Sequence, residues 1–185
     1  ETVQILDNVN QVVPGDEVTV TGQVEEFFGL TRINSVSSVV VNSSGNAVPD
    51  PVSVTTGEVM TGGSMAEAYE GMLVSVENVT VTNPFADGGR NFGEFVVDDG
   101  SGGVRIDDLG NHRGNLDSSW AEGDMVDKVT GILDYTFSNH KLQPRDMNDF
   151  EGITTDVAEE IVPLTFDLSQ NYPNPFNPTT TINYQ

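Results

Sequence analysis

The sequence predicts an all-β protein that contains a repeated unit. Glycine is abundant, with 19 among 185 residues, and Val and Thr recur along the chain, a composition that favours strands and turns. One 13-residue sequence pattern also occurs twice, at residues 15–27 and 123–135, about 108 residues apart. In each copy Gly-Asp opens a turn, a Val-rich alternation follows, and Thr-Gly places a bend within the strand. Two copies of one turn-and-strand pattern indicate two structural units of the same kind.

The second unit contains five predicted strands. They cover residues 72–82, 92–98, 104–108, 125–137 and 141–143. The connection between the third and fourth strands is longer and includes a predicted short helix at residues 117–121. Five strands with a helix or loop between the third and the fourth are the layout of an OB-fold barrel. We therefore predict a complete OB-fold module over residues 69–150.

The first unit contains only part of this layout. Its strands are predicted at residues 3–6, 18–28 and 30–41, with a bulge or bend at Gly22. Because Val3-Gln4-Ile5 matches Val104-Arg105-Ile106, this unit begins at the third strand of the layout. We therefore predict tandem OB-fold-like barrels, the first of which is incomplete at its N terminus and covers residues 1–48 with strands three to five. A barrel that lacks two of its five strands leaves backbone groups unpaired and half a core open.

Three further segments complete the predicted organisation. Residues 49–68 form a connector that is extended as far as residue 56, and one helical turn capped by Ser64 is predicted over residues 64–70. Residues 151–165 form an acidic linker. Residues 166–185 form an extended Pro-rich tail whose last part, residues 179–184, is a strand. Since the chain begins within a strand pattern, we expect it to be a piece of a longer, processed protein.

The chain is strongly acidic, with 29 Asp and Glu against 7 Lys and Arg and a net charge of −22. Nucleic-acid binding draws its affinity from basic residues that neutralise phosphates, so we expect this surface to repel a polyanion. The charge is explained either by solubility or by the binding of divalent cations. No cysteine is present, which excludes disulfides and Cys-ligated metals, and no run of 18 apolar residues predicts a transmembrane helix.

Four aspartates surround one predicted hairpin of the complete module: Asp98, Asp99, Asp107 and Asp108. This cluster has two interpretations, the ordinary turn chemistry of a Gly-Asp-Ser hairpin and a calcium site. Clusters of carboxylate oxygens suit Ca²⁺, although the spacing does not match an EF-hand loop. Asp87, on the preceding loop, is a candidate for a further ligand. No cofactor other than calcium is expected.

The sequence contains no arrangement typical of a catalytic site. His112 and His140 lie in predicted polar loops or turns, outside any metal-binding spacing, and we expect them to be solvated or locally hydrogen-bonded. No Gly-x-Ser-x-Gly nucleophile motif occurs, and the pattern places no carboxylate pair across a cleft. We therefore expect a protein that is not an enzyme.

The aromatic residues also have two interpretations. OB-folds that bind single strands stack bases on aromatic side chains in a basic groove. This chain has the aromatic residues, but its few basic residues are scattered, so we expect most of the aromatic side chains to pack in the core. They include Phe27, Phe28, Phe85, Phe92, Phe95, Trp120, Tyr135 and Phe137.

Two parts of the chain resemble known families. Tyr172-Pro173-Asn174-Pro175-Phe176-Asn177-Pro178, followed by Thr-Thr-x-Ile, resembles the opening of the C-terminal sorting domain of type IX secretion substrates. That domain is a small Ig-like sandwich, and residues 179–184 correspond to its first strand. Residues 68–74, residues 97–102 and the repeated Gly-Asp…Thr-Gly strand resemble OB-type modules of secreted nucleases and surface proteins. These resemblances imply a protein that is secreted and extracellular or attached to the cell surface.

Both ends of the chain carry an incomplete sheet, since the first unit lacks its opening strands and the tail ends on a strand without a partner. Pairing with another copy of the chain would complete both sheets, and contacts of this kind that do not close produce a filament. The leading hypothesis is a secreted, non-enzymatic structural protein whose copies join head-to-tail by strand complementation into an extracellular filament or surface layer. The predicted subunit interface comprises Val3, Ile5, Tyr172, Phe176, Thr179, Thr181, Ile182 and Tyr184.

Two alternatives belong to other functional classes. The first is an accessory OB module of a secreted enzyme that binds nucleic acid or a glycan, although the net charge of −22 counts against nucleic acid. The second is a calcium-dependent adhesion or glycan-binding module.

Overall fold

The protein is mostly β-structure, which confirms the predicted fold class. The computed structural model describes residues 12–88, 92–107 and 120–155, together with the backbone of residues 4–5. These ranges contain three short helices, which are α1 (Thr56–Val59), α2 (Ala66–Tyr69) and a 3₁₀ helix (Met147–Asp149). The strands are β1 (Gln4–Ile5), β2 (Glu17–Phe27), β3 (Leu30–Ser43), β4 (Val52–Ser53), β5 (Leu73–Asn83), β6 (Phe95–Asp98), β7 (Val104–Ile106), β8 (Met125–Thr136), β9 (Asn139–Gln143) and β10 (Phe150–Thr154).

Five of these strands close into a barrel with the predicted OB topology. β5 pairs antiparallel with β6, β6 with β7, and β8 with β9. β7 and β9 run parallel, with Arg105 opposite Lys141, and β5 returns to β8, with Val76 opposite Val129. The ring β5–β6–β7–β9–β8 is therefore continuous, and its strands share their backbone hydrogen bonds with neighbours on both sides.

The interior of the barrel is filled by apolar side chains. In β5 the strict alternation of a strand would place Val76 and Val79 on opposite faces, yet both are fully buried. Asn78 lies between them with a φ of 52°, and this left-handed residue resets the alternation. The core cluster comprises Val59, Val74, Val76, Val79, Val81, Phe95, Val97, Val104, Ile106, Val126, Val129, Leu133, Leu142 and Phe150.

Strands that precede and follow the five barrel strands along the chain extend the barrel sheet. β4 pairs parallel with β5, β10 pairs antiparallel with β8, and α1 places the fully buried Val59 in the core. Part of the predicted connector 49–68 and residues 151–154 of the predicted linker 151–165 therefore pack on the barrel. We attribute this to burial of apolar side chains, since Phe150 and Val59 add to one continuous core.

The N-terminal strands form a separate three-stranded sheet in the order β1-β3-β2. β2 pairs antiparallel with β3 and β1 pairs parallel with β3, which is the relation that β8 and β7 have to β9. The register of β2 on β3 shifts between Thr21 and Gln23, so the bulge predicted at Gly22 is present. A Cβ atom at Gly22 would lie 2.4 Å from Ile33 Cγ2, which explains why the smallest residue occupies this position.

The tip of the β2–β3 hairpin rests on the barrel. Leu30 is buried, and a Cβ atom at Gly29 would lie 2.4 Å from the ring of Tyr135, so the backbone of the tip lies directly against that ring. The backbone N–H of Thr31 donates a hydrogen bond of 2.8 Å to Glu70 Oε1. We refer to this contact between the hairpin and the barrel as the joint.

Several predicted features lie outside the described residues. They are Val3, Asp108, His112, residues 117–119 of the predicted helix 117–121, and the interface residues of the tail from Tyr172 to Tyr184. Among the residues that are described, no helix has the length and apolar character needed to cross a membrane.

Candidate ligand-binding face

Asp98 and Asp99 satisfy backbone and hydroxyl donors of the turn after β6. Asp98 Oδ1 accepts hydrogen bonds from the N–H groups of Gly100 (2.6 Å) and Gly102 (3.1 Å). The Asp99 carboxylate accepts from Thr56 N (3.0 Å), Thr56 Oγ1 (2.8 Å) and Ser101 N (2.9 Å). This arrangement has the form of turn chemistry, and it also connects the turn to the start of α1.

Asp107 lies at the opposite end of the β6–β7 hairpin from Asp98 and Asp99, and Asp108 lies outside the described residues. The structure therefore separates Asp98 and Asp99 from Asp107. Asp87 is occupied in its own loop, where its Oδ2 accepts from Phe92 N at 2.7 Å and Glu94 N at 3.1 Å. The calcium site stays a prediction.

Replacing Asp99 with Ala should lower stability by about 1–2 kcal/mol, a value reduced for partial exposure, because Thr56 N–H and Ser101 N–H lose their acceptor. Burial alone would raise the pKa of Asp99, but hydrogen bonds from Ser101 and Thr56 lower it to about 2. A carboxylate whose folded-state pKa is depressed stabilises the fold above its unfolded-state pKa, and this contribution is lost as the pH falls toward 2. Thermal melts of both proteins between pH 7 and 2 should therefore converge at low pH. A melting temperature that rises with Ca²⁺ in the wild type alone would instead support the calcium site.

A charge cluster lies beside the barrel core and consists of Glu94, Arg105, Asp107, Asp134 and Lys141. Arg105 and Lys141 are direct neighbours of the core residues Ile106 and Leu142, so they face away from the core across the parallel pair β7–β9. Lys141 is completely buried. Its ammonium group donates to Glu94 Oε1 and, at 3.0 Å, to Asp107 Oδ2. Arg105 donates to Glu94 Oε2 at 2.7 Å, so one glutamate joins both cations.

Asp134 adds a third carboxylate to this cluster. It lies directly opposite Lys141 in the β8–β9 pairing, and its Oδ2 is buried without a hydrogen-bond partner. Burial raises the pKa of Asp134, although a hydrogen bond from the Tyr135 backbone and the charge of Lys141 act in the other direction. The cluster thus contains more anionic groups than cationic ones, and each cation is held by a carboxylate.

The loop between β5 and β6 is fixed over this cluster by Asp87 and Arg105. Asp87 accepts from the backbone at the end of the loop, as described above, and Arg105 Nη1 donates to Ala86 O at 2.9 Å. The loop presents Phe85 and Phe92 to solvent, with 61% and 64% of their surface exposed. On the other side, the β8–β9 turn places the ring of Phe137 5.3 Å from Lys141 Nζ.

Most of the aromatic residues singled out in the sequence are therefore not in the core, contrary to expectation. Phe95 and Trp120 stack there with Phe150, and Tyr135 is partly buried. Four of the five exposed rings lie in loops or turns, where strand alternation does not direct side chains inward, and the fifth, Phe27, ends β2 of the three-stranded sheet. The exposed rings belong to Phe27, Phe28, Phe85, Phe92 and Phe137.

Two of these rings occupy the tips of equivalent hairpins. Phe137 follows β8 and Phe28 follows β2, and they are 90% and 87% exposed. Both have positive φ angles, 50° and 55°, in a region that bulky residues rarely adopt. Each of these exposed rings contributes little to packing, although its backbone is strained. Backbone strain of this kind is concentrated at binding sites.

His140 also lies in a different environment from the polar loop that the sequence predicts. It lies within β9 rather than in a polar loop, only 7% of it is exposed, and neither ring nitrogen has a hydrogen-bond partner. No spacing motif indicates this site, because the carboxylates beside it, Glu67 and Glu70, come from α2 and the residue that follows it.

The chain is similar to part of an endonuclease. It is 33% identical over 86 residues to the endonuclease YhcR of Bacillus subtilis (strain 168), an alignment that covers 46% of this chain and 7% of the endonuclease. No family model matches the chain. No solved structure matches it.

Proposed function

We propose that this chain is an accessory, non-catalytic OB module of a secreted nuclease-type protein, and that it holds a single-stranded nucleic acid against its barrel by stacking. The observation that carries the proposal is Phe137, which has a strained backbone and a 90% exposed ring that lies 5.3 Å from the ammonium group of Lys141 in β9. In OB-folds, the face of the second and third strands and the loops after the first and fourth strands bind oligonucleotides and oligosaccharides. Phe85 and Phe92 occupy the first of these loops, and Phe137 occupies the second.

The chemistry of this face favours stacking over phosphate contacts. Arg105 and Lys141 already form ion pairs with Glu94 and Asp107, so neither offers an unpaired charge to a phosphate. Stacking of a base on an aromatic ring contributes about 1–3 kcal/mol and tolerates any sequence. The similarity to part of an endonuclease supports nucleic acid as the ligand class. The paired cations and the net charge of −22 favour an uncharged glycan instead. The experiment must therefore distinguish a nucleic-acid ligand from a glycan ligand.

We expect Phe137→Ala and Phe92→Ala each to weaken binding of an oligothymidine of about 16 nucleotides by roughly 5- to 150-fold, which corresponds to the loss of one stacked base. Fluorescence anisotropy with the labelled strand measures this directly. Met125→Ala is the matched control, since Met125 is also exposed but begins β8 at the end opposite Phe137. A protein that neutralises phosphates loses affinity as the salt concentration rises, with a slope of about −0.7 per phosphate in a plot of log affinity against log salt concentration. Because few phosphates are neutralised here, we expect a shallow slope.

The outcome also separates the ligand classes. If the protein binds a neutral cello-oligosaccharide through Phe137 and Phe92 but does not bind the oligothymidine, the ligand of this face is a glycan. Wild-type affinity in both phenylalanine variants would refute a stacking face altogether.

A second candidate function is assembly by strand complementation into an extracellular filament. It is supported by the three-stranded sheet, on which Val24, Val40 and Val41 are 72%, 51% and 44% exposed. Val40 and Val41 are consecutive in β3 and point to opposite faces, so neither face of this sheet is fully covered, and another chain can cover what is exposed. Electron microscopy of the secreted protein, with light scattering of a chain cut after Pro163, tests this. Fibres that disappear on truncation support strand donation by the tail, and a monomer in both forms excludes it.

A further inference from the structure

Three side chains that could hold a metal ion converge at the joint. Glu67 and Glu70 are three residues apart, which places them on the same side of the α2 turn, and His140 faces them from β9. One potential ligand atom from each residue lies within 4.8 Å of the other two, and Glu70 Oε2 is 3.8 Å from His140 Nε2. Across the described ranges, no other set of three acidic or histidine side chains converges in this way.

The environment of His140 indicates that a ligand belongs here. A buried polar atom without a hydrogen bond is uncommon in folded proteins, and both nitrogens of this nearly buried ring lack one. The imidazole is otherwise well fixed. Its ring packs at 4.6 Å from the ring of Tyr135, and its backbone N–H donates to Thr61 Oγ1 at 2.9 Å.

Acidic side chains accumulate at the site. Besides Glu67 and Glu70 themselves, the carboxylates of Glu26 and Asp134 lie near enough to Glu70 to repel its negative charge. A divalent cation would neutralise this accumulation of negative charge.

We propose that Glu67, Glu70 and His140 bind a divalent transition-metal ion, with Zn²⁺ as the ion of best fit, at the joint between the β2–β3 hairpin and the barrel. One imidazole and two carboxylates form a mixed nitrogen and oxygen set that Zn²⁺ accepts, whereas Ca²⁺ and Mg²⁺ prefer oxygen alone. Ligand atoms around a tetrahedral Zn²⁺ lie about 3.3–3.6 Å apart, given bond lengths of about 2.0–2.2 Å. Glu70 Oε2 and His140 Nε2, at 3.8 Å, are slightly farther apart than this, and the Glu67 oxygen lies within 4.8 Å of both. The side chain of Glu67 is exposed, so it has room to move inward.

Such an ion would fix the position of the hairpin as well as the barrel. Glu70 Oε1 accepts from Thr31 N–H in the hairpin, while Glu70 Oε2 faces His140. A ligand oriented by a second hydrogen bond in this way is typical of metal sites. The ion would thereby connect α2, β9 and the hairpin, a structural role that is separate from the stacking face.

Thermal melts with and without Zn²⁺ test the site. At a Zn²⁺ concentration about 100-fold above Kd, we expect the melting temperature of the wild type to rise by roughly 5–10 °C, with one ion per chain in equilibrium dialysis. Glu67→Gln and His140→Gln should abolish this shift, and Ca²⁺ or Mg²⁺ should not reproduce it. Glu67 is exposed, so its variant is expected to fold even if the buried histidine cannot be replaced.

Two control variants separate the site from binding elsewhere on an acidic surface. Glu77→Gln removes one exposed carboxylate from β5, and His112→Gln removes the only other histidine of the chain. Both should retain the full Zn²⁺ shift. An equal shift in Glu67→Gln, or no shift in the wild type, would overturn the proposal.

Discussion

Lys141→Met is expected to destabilise the protein by about 3–5 kcal/mol. Removing one partner of a buried ion pair leaves uncompensated charge in a poorly solvated site, which costs far more than the pair itself contributes. Here the lost ammonium group is completely buried and contacts Glu94 and Asp107, with Asp134 directly opposite. For a chain of this size the melting temperature should fall by roughly 6–20 °C. Thermal and urea denaturation of both proteins at pH 7 measure the difference.

Lys128→Met is the matched control, because Lys128 is the only other lysine in the chain. Its ammonium group also pairs with a carboxylate, Glu151, at 3.0 Å, but on the exposed surface of β8 and β10. Exposed pairs contribute little, so this variant should melt close to the wild type. Similar losses in the two variants would show that burial of Lys141 does not determine its contribution.

The pH dependence of Lys141→Met provides an independent test of the mechanism. Burial already raises the pKa of Asp134, and removal of a nearby positive charge should raise it further. An acid whose folded-state pKa lies above its unfolded-state value takes up protons on folding, so stability increases as the pH falls. The variant should therefore recover part of its lost stability between pH 7 and 5. A deficit that is constant over this range would indicate lost packing instead of buried charge.

The strands of the barrel could be predicted because their information is local. The second copy of the repeated pattern predicted a strand at residues 125–137, and β8 covers Met125–Thr136. The helix α1 was missed, although Thr55-Thr56-Gly57-Glu58 has the Thr-x-x-Glu pattern of a capping box, and Thr55 N–H does donate to Glu58 Oε2 at 2.9 Å. That signal was present in the sequence, but prolines nearby favoured an extended connector.

The candidate sites could not be predicted because their partners are distant in sequence. Lys141 meets Glu94 and Asp107 across 47 and 34 positions, and Asp99 meets Thr56 across 43. Aspartates grouped along the chain suggested one calcium site, yet the fold directs them to different partners. For His140 the error was small, since β9 begins at Asn139 instead of the predicted 141. Those two positions decide whether the ring lies in a loop or against the joint.

Phe137→Asn combined with Ser138→Gly is expected to stabilise the protein and to weaken its ligand binding. Phe137 and Ser138 have φ angles of 50° and 63° between the paired residues Thr136 and Asn139, which is the geometry of a two-residue type I′ turn. Such turns favour Asn-Gly, because other residues lose about 1–2 kcal/mol in left-handed conformations. The double variant should therefore gain about 1–2 kcal/mol and melt roughly 2–8 °C higher. Little packing is lost, since Phe137 is 90% exposed.

Each single variant isolates one half of this expectation. Ser138→Gly retains the ring and should gain stability with unchanged binding, whereas Phe137→Ala should lose binding without a gain in stability, since alanine in this conformation is strained as well. Local sequence choices that oppose the fold are concentrated at functional positions. If the double variant is stabilised but still binds the oligothymidine or the glycan with full affinity, the strain at this turn has another origin and Phe137 is not part of the ligand-binding face. If binding is lost together with the strain, the exposed ring is the reason that this turn departs from Asn-Gly.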